Sequence, residues 1–159
     1  HTRLQGDWSS DVCSSDLLLN DRLDLALAVE ADGVHLGQSD LPLAVARRLL
    51  GPDRLLGRST HSLDQLRQAL LEGCDYVGVG PVHATPSKPG RPAVGVETVA
   101  AAAAECPIPW FAIGGIEAAN LDRVRQAGAR RVAVIRAITD AEDPRAASSD
   151  LLRRLEAKA

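Results

Sequence analysis

The chain has 159 residues, of which 45% are hydrophobic and 25% are charged. This balance predicts one globular domain and excludes a chain that is disordered throughout. With 18 basic and 21 acidic residues the net charge is −3, so we expect binding to neither nucleic acid nor an anionic membrane. No apolar run approaches the roughly 18 residues of a membrane helix. Three cysteines without a C-x-x-C spacing predict reduced thiols in the cytoplasm.

The first 16 residues lack the pattern of a folded domain. Residues 7–16 hold four serines and three aspartates around one tryptophan, with neither a helical nor a strand period. Residues 7–17 also match the translation of a common sequencing adapter, codon by codon. We therefore interpret residues 1–16 as a non-biological or disordered segment and residues 17–159 as the domain.

Short apolar segments alternate with helical patterns from residue 17 onwards. The predicted strands are residues 17–19, 33–36, 55–57, 76–79, 110–113 and 132–135. Apolar residues at helical spacing predict helices at residues 22–30, 63–72 and 121–127. Such alternation predicts a parallel sheet, and the similarity of the units favours a (β/α)8 barrel. At about 25 residues per unit, the sequence predicts an α/β fold: a partial TIM barrel of about six units, with the first two missing.

Active sites of such barrels form at the carboxyl ends of the strands, so the polar residues there are the candidates. Asp21 and Asp40 follow two successive predicted strands, one unit apart. Two carboxylates at neighbouring strand ends suit Mg²⁺, which takes its other oxygens from phosphate and water. The alternative is that each aspartate caps the helix that follows it.

Two later loops predict phosphate binding. Gly114 and Gly115 lie between a strand and a helix, where backbone N–H groups can face an anion. Barrel phosphate sites commonly follow strands seven and eight, which would correspond here to Gly115 and to Ile135–Arg136. The loop from Thr85 to Lys88 combines hydroxyl groups with one cation, although a solvated proline-rich loop explains the same composition.

The histidines give weaker signals. His61 lies close to Ser59 in the sequence, but no spacing supports a nucleophilic triad. Ser62 and Gln65 form an S-x-x-Q capping box, which explains part of this cluster structurally. We expect His35 and His83 to pack or to form hydrogen bonds rather than to bind a metal.

The combination of these segments resembles the thiamine-phosphate synthase family. The resemblance covers essentially all of residues 17–159 and is carried by A-D-G-V-H-L-G-Q-S-D-L-P from Ala31, S-T-H-S from Ser59, T-P-S-K-P-G-R-P-A-V-G from Thr85, I-G-G-I from Ile113 and V-I-R-A-I from Val134. It implies a TIM-barrel transferase that joins a pyrimidine-methyl diphosphate to a thiazole phosphate and releases diphosphate.

The resemblance also implies a role for each matching residue. Asp21 and Asp40 would bind the cofactor Mg²⁺. Asn20, Ser59 and Lys88 would contact the pyrimidine diphosphate. The thiazole phosphate would be bound by Thr85, Pro86, Ser87, Gly115, Ile135 and Arg136. The expected partners are therefore small phosphorylated substrates, and the sequence predicts no oligomeric state.

Two other functions stay open at this point. Thiazole tautomerase, a sister family on the same barrel, would need Asp40 and the Thr85–Lys88 loop less. A non-catalytic barrel would bind thiazole phosphate without Mg²⁺. The family's first two strands also carry a segment that grips the diphosphate, and no such segment is present here. We therefore expect the parent protein to be the enzyme and this 159-residue chain to be inactive.

Overall fold

Six parallel strands form one sheet, and a helix follows each strand along the chain. The computed structural model describes residues 16–86, 90 and 92–157. The strands are β1 (Leu18–Asn20), β2 (Gly33–Leu36), β3 (Leu55–Thr60), β4 (Tyr76–Val79), β5 (Trp110–Ile113) and β6 (Val132–Ala133). The helices are α1 (Leu23–Ala28), α2 (Leu43–Leu50), α3 (Leu63–Leu71), α4 (Gly95–Glu105), α5 (Leu121–Gln126), α6 (Arg136–Thr139) and α7 (Pro144–Glu156).

The strand order follows the chain from β1 to β6, and every neighbouring pair is parallel. This is the arrangement of consecutive units in a (β/α)8 barrel, so the predicted fold class, a partial TIM barrel of six units, is confirmed. Among the described residues β1 and β6 each pair on one side only. The predicted segment 1–16 lies outside the described residues except for residue 16.

The two faces of the sheet differ in composition. The face that packs against the helices is apolar and buried. Its residues with no exposed surface include Val34, Leu36, Leu56 and Val77. Residues of a strand alternate between faces, so their neighbours along the chain point to the inner face. That face carries His35, Ser59 and Tyr76, and the polar groups of the barrel interior therefore collect there.

A second apolar cluster supports the later half of the chain. Ala112 on β5 packs with Leu121 and Val124 of α5 and with Leu151 of α7. The cluster packs around β5, which ends at Ile113 directly before Gly114, so it fixes the position of the predicted phosphate turn. None of the helices in the described part of the chain is long and apolar enough to cross a membrane.

Polar bonds tie the amino ends of the strands together. Asp75, which precedes β4, accepts a hydrogen bond from the backbone N–H of Leu56 at 2.8 Å and pairs with Arg47 at 2.5 Å. Asp32, which precedes β2, accepts a bond from the N–H of Leu17 at 2.9 Å. Cys74 packs between α3 and β4 as the sequence predicts, with its Sγ 3.3 Å from the carbonyl of Ala69.

Candidate active site at the carboxyl ends of the strands

Asp21 lies in a tight turn directly after β1. Its φ of 63° is in the left-handed region, which aspartate tolerates better than most residues. Its backbone N–H donates to the carbonyl of His35 on β2 at 2.9 Å. The turn therefore holds Asp21, with Asn20 before it, at the carboxyl edge of two neighbouring strands.

Asp40 lies in the turn after β2. Its Oδ2 accepts a hydrogen bond from the N–H of Gly37 at 2.6 Å, and its own N–H donates to the Gly37 carbonyl at 3.2 Å. Gln38 connects this turn to β3 through a 2.6 Å bond to the carbonyl of Ser59. The half-buried carboxylate of Asp40 is thus fixed beside the end of β2.

The capping alternative for the two aspartates is wrong. The residues at the starts of α1 and α2 are Arg22 and Pro42, and neither helix has a side-chain cap. Within the described ranges no group of three or more His, Cys, Asp or Glu side chains is arranged to hold a metal ion. Two carboxylates at neighbouring strand ends fit Mg²⁺, because this ion commonly takes one or two protein carboxylates and completes its shell with phosphate and water.

Ser59 belongs to a polar network that spans three strands. Its Oγ lies 2.8 Å from Nε2 of His35 on β2, and Nδ1 of His35 lies 3.0 Å from the hydroxyl of Tyr76 on β4. Ser59 is 7% exposed. The predicted substrate contact is therefore a serine held inside the sheet by a histidine.

His61 has a structural role in this arrangement. Its Nδ1 bonds to the carbonyl of Gly80, and its backbone N–H donates to Oε1 of Gln65 at 2.7 Å. Ser62 caps α3 as predicted, with its Oγ accepting from the Gln65 N–H at 3.2 Å. The return bond of the predicted capping box comes from the N–H of His61 rather than from that of Ser62. Since Ser59 bonds to His35 instead, the geometry gives no support to a Ser59–His61 nucleophile.

The glycine turn after β5 is packed against the loop after β4. Gly114 and Gly115 have φ angles of 88° and 63°, and the N–H of His83 donates to the Gly114 carbonyl at 3.1 Å. A Cβ at Gly115 would lie 2.8 Å from the carbonyl oxygen of Ala84. A side chain at residue 115 would therefore collide with the loop after β4.

The turn after β6 differs slightly from the prediction. The strand ends at Ala133 rather than at residue 135, and Arg136 begins the four-residue helix α6. Arg136 pairs with Asp140 at 2.9 Å, and this bond, with a second from Thr139, lowers the pKa of the Asp140 carboxyl. Ile135 and Arg136 are both exposed at the start of α6, where the first backbone N–H groups of a helix have no partner within the helix.

The loop from Thr85 is described only in part. Thr85 is half-buried and Pro86 is exposed, while Ser87 and Lys88 lie outside the described residues. The base of the loop is closed by two backbone bonds, from Val94 to Pro81 at 2.8 Å and from Gly95 to Val82 at 3.2 Å. The loop therefore starts beside the glycine turn after β5.

Comparison with known proteins agrees with this geometry. Residues 10–138 match the sequence profile of the family described as thiamine monophosphate synthase. The chain belongs to the thiamine monophosphate synthase family. It is 56% identical over 138 residues to a thiamine-phosphate synthase of Synechocystis sp. and 59% identical over 138 residues to one of Prochlorococcus marinus. These alignments cover 87% of the chain but only 40% and 39% of the relatives, so the chain spans about 40% of their length.

Two solved structures are similar to this chain. It is similar to a thiamine phosphate pyrophosphorylase from Pyrococcus furiosus, with 38% identity and a TM-score of 0.79 over 87% of this chain and 66% of that one. A 3-hexulose-6-phosphate synthase matches with a TM-score of 0.60 over 84% of this chain and 66% of that one, at 23% identity. This second likeness shows the shared fold alone.

The sequence did not assign Tyr76 a role in the candidate site. Tyr76 is the chain's single tyrosine, and it begins β4 at the end opposite the predicted site. Gly57, directly beside it in the sheet register, is the signal that could have located its ring. The expectation that His35 packs or forms hydrogen bonds is confirmed.

Proposed function

We propose that this chain is part of a thiamine-phosphate synthase of the cytoplasm. The proposed reaction transfers the methylpyrimidine-methyl group of 4-amino-2-methyl-5-hydroxymethylpyrimidine diphosphate to thiazole phosphate. The carbon–oxygen bond to diphosphate breaks, with its electron pair leaving on diphosphate, and the thiazole nitrogen then forms the new carbon–nitrogen bond. The observation that carries this proposal is the placement of Asp21, Asp40 and Ser59 at the same edge of three consecutive strands.

The first site is proposed for the diphosphate. Asp21 and Asp40 would hold Mg²⁺, which when bound neutralises the charge that develops on the leaving diphosphate. Asn20 and Ser59 would donate hydrogen bonds to the same substrate, and Lys88 would add a positive charge. Half-burial of Asp40 and the near-complete burial of Ser59 support this assignment, because charge stabilisation is strongest where water is excluded.

The second site is proposed for the thiazole phosphate. It would consist of Gly115 and the loop residues Thr85, Pro86 and Ser87, with backbone groups of Ile135 and Arg136. Packing of the Gly114–Gly115 turn against the loop after β4 supports a common site for these segments. Relatives named thiamine-phosphate synthase at 56% and 59% identity support the synthase over a tautomerase or a non-catalytic barrel.

We expect substrate binding by this chain to be easier to detect than turnover. Since the sheet of the described residues is open at β1 and β6, water reaches the inner face more easily than in a closed barrel. A reaction through a cationic group needs water excluded, so we expect weak or no turnover by the 159-residue chain. Binding therefore gives the sharper test.

The test is a calorimetric titration with the pyrimidine diphosphate, with and without Mg²⁺. We expect Mg²⁺ to strengthen binding to the wild-type chain and to strengthen it much less in Asp40→Asn. Asp64→Asn is the matched control, because the Asp64 side chain is 93% exposed on α3. Equal Mg²⁺ dependence in all three chains would contradict the proposal. Binding of thiazole phosphate alone would favour the non-catalytic barrel.

A further inference from the structure

Three polar side chains, from β4, β2 and β3, are joined by hydrogen bonds on the inner face of the sheet. The hydroxyl of Tyr76 lies 3.0 Å from Nδ1 of His35, and Nε2 of the same ring lies 2.8 Å from Oγ of Ser59. The rings of His35 and Tyr76 are 5.4 Å apart and tilted by 34°. Ser59 is the residue to which we assign a substrate contact, and His35 and Tyr76 connect to it through these hydrogen bonds.

Gly57 makes this contact possible. It lies between His35 and Tyr76 in the sheet register, and a Cβ at this position would overlap Cζ of Tyr76. The tyrosine ring can therefore cross β3 only because residue 57 has no side chain. On its other side the ring meets Phe111 edge-on, with 5.7 Å between centroids. Tyr76 is thus held in place from both sides.

The chemistry of the groups links the directions of the two hydrogen bonds. Burial raises the pKa of Tyr76 to about 12, so the hydroxyl keeps its hydrogen at neutral pH, and a half-buried O–H needs an acceptor. If Tyr76 donates to Nδ1 of His35, a neutral imidazole carries its one hydrogen on Nε2 and donates to Ser59. Ser59 then directs its own hydrogen away from His35.

We propose that Tyr76 and His35 are positioning residues, which orient the hydroxyl of Ser59 so that it donates its hydrogen to an oxygen of the bound diphosphate. The donation to diphosphate rests on the proposed function. The direction of the bonds from Tyr76 to Ser59 does not, and it can be measured without substrate.

The direction is tested by two-bond proton–nitrogen NMR of the imidazole rings in the 159-residue chain, at about pH 8, above the usual pKa of histidine. The resonances of His35 are assigned by their loss in His35→Gln. We expect the hydrogen on Nε2 and an accepting Nδ1, whose resonance moves in Tyr76→Phe. Thr98→Val is the control, since it removes a hydroxyl that bonds to the carbonyl of Val94, directly before α4. A hydrogen found on Nδ1 would overturn the proposal.

The action through Ser59 is tested by a double-mutant cycle on affinity for the pyrimidine diphosphate. Tyr76→Phe keeps the ring and should weaken binding about threefold to tenfold, the effect of one neutral hydrogen bond. In a Ser59→Ala chain the same change should have no further effect. Independent, additive losses would show that Tyr76 does not act through Ser59. If the wild-type chain binds no pyrimidine diphosphate, the proposed function fails, and the NMR result still decides the direction of the bonds.

Discussion

The two ends of the sheet use aspartate in different ways. At the amino ends, Asp75 and Asp32 each accept a hydrogen bond from a backbone N–H of the preceding strand segment, at 2.8 and 2.9 Å. At the carboxyl ends, Asp40 bonds to the N–H of Gly37 within its own turn, and Asp21 lies exposed in a left-handed turn. The aspartates at the amino ends connect neighbouring strands, whereas those at the carboxyl ends are held in turns after the strands.

The aspartates at the amino ends are therefore expected to affect the stability of the fold, and those at the carboxyl ends to affect ligand binding. A carboxylate that bonds to the backbone of a neighbouring strand contributes to the free energy of folding. A carboxylate held by a turn at the strand end remains close to solvent and can meet a ligand. Substitutions at the two ends should therefore affect different measurements.

The largest effect is expected at Asp21. Asp21→Asn keeps a residue that tolerates a φ of 63° and removes the charge that we assign to Mg²⁺. Mg²⁺-dependent affinity for the pyrimidine diphosphate should fall about a hundredfold, since metal clamps contribute several kcal/mol. Thermal stability should hardly change. Calorimetry and a melting curve measure the two properties.

Glu30→Gln is the matched control for Asp21. Glu30 is the other described non-glycine residue with a positive φ, 53°, and it follows α1 near the amino ends of the strands. This change should leave substrate affinity as it is. A similar loss of affinity in both variants would end the assignment of Asp21.

At the amino end, Asp75→Ala should destabilise the fold without weakening substrate binding by the folded chain. It removes a pair with Arg47 whose side chains are 26% and 21% exposed, and it leaves the N–H of Leu56 without its acceptor. We expect a loss of about 2–3 kcal/mol in the free energy of unfolding, measured by urea denaturation. Asp64→Ala serves as the exposed control. An unchanged unfolding midpoint in Asp75→Ala would contradict the stabilising role of the amino end.

The smallest effect concerns alkaline pH. Burial raises the pKa of Cys74 from 9.0 to about 12 and that of Tyr76 from 10.0 to about 12. Because the unfolded chain releases these protons first, their contribution is complete below pH 9 and declines as the pH rises towards 12. Urea midpoints should therefore fall above pH 9. Cys74→Ala should make that fall shallower, and an identical slope would argue against a buried thiol at the α3–β4 junction.

Much of the fold could be predicted from local patterns. The strands predicted at residues 33–36, 76–79 and 110–113 are β2, β4 and β5 without change. β3 runs three residues further than predicted, to Thr60, and β6 is shorter, because pairing with a neighbour decides where a strand ends. The sequence analysis assigned no helix at α2, α4, α6 or α7, although all four are present.

The site was predictable in position but not in its internal contacts. The rule that active sites lie at the carboxyl ends of barrel strands placed Asp21, Asp40 and Ser59 on one edge. It could not distinguish a helix cap from a turn, and Asp40 proved to bond to Gly37. The closeness of His61 to Ser59 in the sequence gave no support to a nucleophilic triad, and in the structure the partner of Ser59 is His35.

The sequence by itself determined the alternation of strands and helices, the parallel order and the family, because these depend on periods and motifs that are local in the chain. Only the tertiary structure decided which polar groups meet. His35, Ser59 and Tyr76 are far apart in sequence, and they touch because the sheet register brings three strands together and because Gly57 leaves space for a ring. Contacts of this kind depend on side-chain packing across strands, which a one-dimensional pattern does not contain.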